Sequence, residues 1–199
     1  LSCNLENGEA HLGAAVSLAA VLGHSGLQKK YPIFNQALQH IANPQTRAQA
    51  TLAGALCQEV RCPYFKHEDY QCLKKGGDRC FAKGDEGFPF AVLNNQPCAG
   101  LHASTLGACL LAMNATMTVQ NQNRIDTLEK TLSLEQFFDV KSNSLADNQL
   151  VAGDLITQIH LRENEQGNTQ RYFRLAARPQ ADWAEVEIVL NAHVVDQRI

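Results

Sequence analysis

Residues 61–98 read RCPYFKHEDYQCLKKGGDRCFAKGDEGFPFAVLNNQPC and carry four of the seven cysteines in a chain of 199 residues. Cys62, Cys72, Cys80 and Cys98 follow the spacing C-x9-C-x7-C-x17-C. The stretch is too hydrophilic and too glycine-rich to build a core of its own. It therefore reads as a long loop, and a loop of this length in a compact domain needs a hold other than apolar burial. Four thiolates around a metal or an iron–sulfur cluster supply such a hold. The spacing matches neither a paired zinc ribbon nor the compact ferredoxin run. Three readings stand at this level: an iron–sulfur cluster, a structural zinc ion, or unrelated loop cysteines with a disulfide between two of them. Arg61, Lys66, Lys74, Lys75, Arg79 and Lys83 against Glu68, Asp69, Asp78 and Asp85 lean towards the cluster, because a tetrathiolate cluster is anionic.

The loop is flanked by apolar, small-residue segments, TLAGALCQEV before it and AGLHASTLGACLLAMNA after it. Ala53, Gly54 and Ala55 suggest close packing or close approach to a ligand. Ser104 reads as the N-cap of a helix. Cys57 and Cys109 sit in apolar runs and read as buried packing thiols. Further out, EAHLGAAV reads as a strand leading into a helix capped by Ser17. YPIFNQALQHIA places apolar residues at helical spacing with Pro32 in the first turn, and Asn43-Pro44 reads as the end of that helix. ATMTVQ and RIDTLEKT read as strands, LEQFF as a short helix and residues 151–155 as a loop. ITQIHLRE, RYFRLAAR and WAEVEIVL read as late strands, the first two joined as a hairpin through ENEQGNTQ. Residues 193–199 read as the start of another strand. Helices first and an antiparallel sheet later give an α+β class.

The formal net charge of −3 argues against a nucleic-acid partner. No apolar run is long enough for a membrane span. The seven histidines form no HxxxH or HExxH pair, and Trp183 reads as core. The chain starts at Leu1 and ends in a strand-like run, so both ends read as cuts through a larger protein.

The order YP, IANPQTR, TLAGALCQ, RCPYF, the further cysteines, LHAST and DWAEVEIVL resembles the FAD-binding subunit of molybdenum hydroxylases, the xanthine dehydrogenase, carbon monoxide dehydrogenase and aldehyde oxidoreductase group. It is most similar to the branch with a four-cysteine insertion after the glycine motif, as in periplasmic aldehyde oxidoreductases. The resemblance implies the second half of a vanillyl-alcohol-oxidase (PCMH-type) FAD-binding domain over residues 1–199, with a four-cysteine iron–sulfur loop at 57–98. It implies a [4Fe-4S] cluster on Cys62, Cys72, Cys80 and Cys98, and FAD lined by Thr51, Gly54, His102 and Ser104. No residue is implied as a catalytic acid or base. The implied role is an oxidoreductase subunit that passes electrons to an acceptor, with a molybdenum-cofactor large subunit and a [2Fe-2S] small subunit as partners. The implied location is the cytoplasm, or the periplasm as part of an exported complex. The chain departs from the family pattern at Ala53, Ala55 and Thr105, where glycine, asparagine and an acidic residue are usual. A methyl at position 53 would crowd a flavin phosphate. The alternative is a structural or assembly module that keeps only the metal loop.

Overall fold

A computed structural model describes residues 2–6, 8–84, 90–91, 93, 97–102, 104–121, 129–140, 145–163, 168–178 and 182–193. Its centre is a five-stranded antiparallel sheet in the order β1-β2-β5-β3-β4. The strands are β1 (Cys3–Glu6), β2 (Glu9–Gly13), β3 (Thr116–Asn121), β4 (Lys130–Ser133) and β5 (Asp154–Leu161). Ala10 and Leu12 of β2, Met117 and Val119 of β3, and Ile156, Ile159 and Leu161 of β5 are buried. Alternate positions on one face of the sheet thus form a continuous apolar floor. The register of β3 against β5 slips between Thr118 and Val119; the bulge leaves Thr157 unpaired with β3, and its carbonyl accepts from the Ala14 N–H instead.

The helices lie along this floor: α1 (Leu18–Gly23), α2 (Ser25–Lys30), α3 (Pro32–Gln39), α4 (Pro44–Gln49), α5 (Leu52–Leu56), α7 (Thr105–Ala112) and α8 (Leu134–Phe138). Most begin on a side-chain cap that satisfies an orphan N–H. Ser17 accepts from Ala20, Asn43 from Thr46, Thr51 from Gly54 and Ser104 from Gly107, while Ser133 and Gln136 form a reciprocal capping box. Tyr31, between α2 and α3, is fully buried, and its hydroxyl donates to the Leu161 and Gly8 carbonyls at 3.2 and 3.3 Å.

Four local expectations need correction. Asn43-Pro44 does not end the YPIFNQALQHIA helix: α3 stops at Gln39, the chain passes through Ala42 at φ 54°, and Asn43 caps α4 with Pro44 in its first turn. Arg47 makes the sharp turn possible, since its guanidinium donates to the carbonyls of Gln39, Ile41 and Ala42 at 3.2, 3.0 and 2.6 Å. The expected loop at 151–155 already contains the start of β5, at Asp154. Strand β5 forms no hairpin with the strand after it; it runs between β2 and β3, where its apolar positions complete the floor. Instead β6 (Asn168–Leu175) pairs with β7 (Val186–His193) as a separate two-stranded sheet lying against α3 and α7. Trp183, just before β7, is 48% exposed rather than core. Residues 164–167 of ENEQGNTQ, 122–128 before β4 and 194–199 lie outside the described residues.

The cysteine stretch holds little regular structure. Its described part has one four-residue helix, α6 (Pro63–Lys66), and a 3-10 turn at Leu73–Lys75.

Candidate functional site

Thr51 and Gly54 line a cleft of about 810 Å³ between α4, α5, the first turn of α7 and the β6–β7 hairpin. Thr51 Oγ1 accepts from the Gly54 N–H at 3.2 Å, and a Cβ added at Gly54 would sit 3.1 Å from that oxygen. The cleft therefore passes over bare backbone at the glycine that the motif keeps. Ala53 takes no part in lining it: its methyl packs against the main core. Of the three departures from the family pattern, Ala53 is thus turned away from the cleft, whereas Ala55 and Thr105 line it.

On the far side of the cleft, the Arg61 guanidinium stacks over the Trp183 ring at 4.9 Å. Arg174 donates to the Asp182 carbonyl, and Arg178 pairs with the Asp182 carboxylate at 2.8 and 3.0 Å. His40 stacks on Tyr172 at 5.5 Å. Burial, followed by the charge of Arg174, holds the His40 imidazole below its usual range. Arg61, His40 and Trp183 were not singled out by sequence as cleft residues. Arg61 looked like one cation among several, and a cross-chain stack leaves no mark in the local pattern.

His102 and Ser104 line a second cavity, of about 440 Å³, together with Cys98, Lys74 and Phe138. The structure therefore does not place the four expected flavin residues in one cavity. Ser104 links the two: its hydroxyl accepts from Gly107 N–H at 3.0 Å and donates to the Ala55 carbonyl of α5 at 2.9 Å. His102 meets Phe138 edge-on at 5.0 Å, and burial pushes its imidazole below the usual range. Lys74, from the cysteine stretch, pairs with Asp147 at 2.9 Å and donates to the Leu145 carbonyl at 2.5 Å.

The four loop cysteines are free thiols, Cys62 and Cys72 buried and Cys80 and Cys98 partly so. Cys62 belongs to a small core of its own with Val60, Ala82 and Ala99, against which Cys80, Tyr64 and Phe65 pack. Cys72 is set by a tight backbone fold in which its carbonyl accepts from Lys75 and Gly77 at 2.8 and 3.0 Å and Leu73 donates to Arg79 at 3.0 Å. That fold carries the chain back towards Cys80. Gly77 sits inside it, where a Cβ would meet the Gln71 carbonyl oxygen at 1.8 Å. The Gly100 N–H reaches Cys98 Sγ at 3.4 Å. Burial raises the Cys98 thiol, charge on Cys80 and Cys62 adds to the rise, and Gly100 and Lys74 oppose it. Tyr64 stacks on Phe81 at 5.9 Å, and Tyr70 meets both rings edge-on at 4.9 and 5.2 Å.

Among the described residues, no three His, Cys, Asp or Glu side chains converge tightly enough for a single ion. A cubane cluster is several atoms wide, so its thiolates stand further apart than the ligands of one zinc ion. Of the four cysteines, Cys98 lies within electrostatic reach of Cys80 and Cys62. Cys109 is a packing thiol, its pKa pushed up to about 12 by burial, and Cys57, half-buried, is likewise raised.

A family described as the FAD binding domain in molybdopterin dehydrogenase matches residues 2–161. The aldehyde oxidoreductase FAD-binding subunit PaoB of Escherichia coli is 29% identical over 162 residues, covering 77% of this chain and 48% of PaoB. Among solved structures, carbon monoxide dehydrogenase from Hydrogenophaga pseudoflava superposes with a TM-score of 0.60 at 16% identity over 92% of this chain and 46% of that one. Quinoline 2-oxidoreductase from Pseudomonas putida gives 0.61 at 16% identity over 94% and 47%. The chain thus spans about half the length of the relatives it matches, and the structural matches show a shared fold.

Proposed function

The chain belongs to the family of FAD-binding domains in molybdopterin dehydrogenases, and we propose on that premise that it is an electron-transfer subunit of a molybdenum-containing oxidoreductase. We read residues 1–199 as part of that FAD-binding domain, with 57–98 as its four-cysteine iron–sulfur loop. The observation that carries the flavin reading is the open backbone at Gly54, facing the larger cleft while Ala53 turns into the core. Thr51 fixes this turn by capping α5, and the Arg61–Trp183 stack walls the opposite side. FAD, when bound, supplies the step between two-electron and one-electron chemistry, and an iron–sulfur cluster supplies one-electron storage. The protein's part is to position these groups, exclude water and set the local charge. Ser104 serves by tying α7 to α5, and His102 lines the neighbouring cavity with Cys98. Cys62, Cys72, Cys80 and Cys98 are the proposed ligands of a [4Fe-4S] cluster. The proposed partners are a molybdenum-cofactor large subunit and a [2Fe-2S] small subunit. The complex would reside in the cytoplasm, or in the periplasm after export. No helix among the described residues is long and apolar enough to cross a membrane.

The structural-module alternative rests on the departures at Ala53, Ala55 and Thr105; Ala53 packs inward, while Ala55 and Thr105 line the cleft. Anaerobic purification followed by flavin extraction and iron and acid-labile sulfide assays tests both. Flavin in stoichiometric amount, lost in Gly54→Val, supports the proposal. Iron and sulfide without flavin would establish the alternative, and zinc without iron would remove the cluster.

A further inference from the structure

His11 of β2 and His160 of β5 stand directly opposite each other in the central sheet. Their chain neighbours Ala10, Leu12, Ile159 and Leu161 point into the buried floor, so both imidazoles rise from the other face. The Nδ1 atoms of the two rings meet at 2.8 Å, with the ring planes at 77°. Each outer nitrogen has an oxygen in front of it. His160 Nε2 is 2.7 Å from the hydroxyl of Thr118, a buried residue of β3. His11 Nε2 faces the Glu9 carboxylate at 4.0 Å, and Glu9 lies two positions away on the same face of β2. Glu9, His11, His160 and Thr118 thus form a line across three adjacent strands. One proton per link satisfies it: Thr118 donates to His160 Nε2, His160 Nδ1 donates to His11 Nδ1, and His11 Nε2 points its N–H at Glu9. Two threonines at the same register would tie the strands as well. Two imidazoles joined nitrogen to nitrogen, each backed by an oxygen, offer a chemistry that threonines do not.

We propose that His11 and His160 form a cross-strand chelate for a borderline divalent transition-metal ion, zinc, copper(II) or nickel(II), which takes the place of the proton between the two Nδ1 atoms. Neutral imidazole is the commonest protein ligand for such ions. With metal–nitrogen bonds of about 2.0–2.1 Å, two ligands at a right angle lie about 2.9 Å apart, so the nitrogens already stand at chelating distance. The His11 side chain is part-exposed and supplies the rotation that aims both lone pairs at one point. The displaced proton moves to His160 Nε2, which then donates to the Thr118 hydroxyl, while His11 Nε2 donates towards Glu9 through one water. No proton is gained or lost. Metal-bound histidines are held in this manner, by an oxygen on the far ring nitrogen that fixes tautomer and orientation. Thr118 and Glu9 are therefore positioning residues. Two protein ligands leave the other coordination positions to water, which makes the site open and exchangeable and agrees with the lack of three converging ligands among the described residues. A bound ion would clamp β2 to β5 across 149 positions of sequence. The site needs neither the flavin nor the cluster.

The test is a zinc titration of the full chain, labelled with nitrogen-15 in its histidines and read by NMR at the ring nitrogens. It is run under reducing conditions at about pH 7.5, above the ordinary histidine pKa of about 6.5. Each of the seven histidines is followed separately, so zinc taken up by cysteines does not obscure the pair. The Nδ1 resonances of His11 and His160 are expected to shift together with one affinity, and magnesium, which prefers oxygen ligands, should move neither. His160→Asn should abolish the zinc response of His11, and His11→Asn that of His160; should one variant fail to fold, the other decides. Thr118→Val keeps both ligands and should weaken zinc binding about tenfold, the low end for loss of an outer-shell partner. Resonances that stay in place in excess zinc, one ring responding alone, or an unchanged response of His11 in His160→Asn would each overturn the chelate. Equal weak shifts at every exposed histidine mean an adventitious ion only and overturn it as well. Wild-type affinity in Thr118→Val overturns the positioning role of Thr118.

Discussion

Ser104→Ala is expected to weaken the fold at the junction of the two cavities. The side chain is 7% exposed and makes two hydrogen bonds, accepting from Gly107 N–H at 3.0 Å and donating to the Ala55 carbonyl at 2.9 Å. Loss of the first removes the N-cap of α7, typically about 1 kcal/mol. Loss of the second leaves a partly buried carbonyl without its partner, worth about 1 kcal/mol at the low end of the range for an unsatisfied group. Together the variant should lose about 2 kcal/mol, or about 4–8 °C in Tm for a chain of this size. Ser104→Thr retains the hydroxyl and should recover most of the loss. Ser104→Asp keeps an acceptor for Gly107 but sets a carboxylate against the Ala55 carbonyl, so it should restore the cap alone. Urea unfolding with matched m-values measures all three. A Ser104→Ala protein within about 0.5 kcal/mol of wild type, the usual range for a surface change, would refute the reasoning, as would a Ser104→Asp protein more stable than Ser104→Thr.

Gly77→Ala drives a Cβ into the Gln71 carbonyl at 1.8 Å and should cost about 1–3 kcal/mol as overpacking together with iron content. Gly84→Ala has φ +90° but open space, so it should cost about 1 kcal/mol of backbone strain and keep the iron. Tyr31→Phe removes the bonds to Leu161 and Gly8 and should lose about 1 kcal/mol in urea unfolding. In the wild type, burial together with Glu163 and Glu9 pushes the Tyr31 hydroxyl up to about 12, so a spectrophotometric titration should show it ionising later than an exposed tyrosine. Burial also holds His40, His102 and His160 below the ordinary histidine range. The unfolded chain therefore takes up these protons first. Stability is full above the usual histidine pKa of about 6.5 and falls as the pH drops below it, until the folded sites protonate as well. At His160 the facing groups are Thr118, His11, Glu9 and Glu129, and His160→Asn should flatten the decline in urea midpoint between about pH 7.5 and about pH 5.5.

The parts of this fold that a sequence reader can see are those fixed within one or two turns. Ser17, Ser104 and Pro32 act on neighbours three or four positions away, and their helices start where the residues say. The partner of β5 is different in kind. Its alternation of apolar residues is as compatible with pairing to β6 as with lying between β2 and β3, and the choice is made by the floor it completes, not by the intervening turn. The same limit governs the site. Gly54 is legible as a position of close approach, but that Ala53 faces inward depends on how α5 sits on the core. His102 and Ser104 belong to the LHAST motif of the chain, yet they line the cavity that holds Cys98 and Lys74 rather than the cleft at Gly54. Lys74 looked like a solvated charge because its counterion, Asp147, lies in a distant segment.

The interleaved order of the sheet has a consequence for how the protein is made. His11 on β2 finds its partner His160 on β5 across 149 positions of sequence. At a synthesis rate of about 5–20 residues per second, β2 waits about 7–30 s for the strand that completes its ladder. The cysteine stretch emerges during that interval, so all four thiols are present on the nascent chain before the sheet can close. Pairing at such separation is intrinsically slow, and an oxidant acting in that window would meet Cys62, Cys72, Cys80 and Cys98 as unprotected nucleophiles.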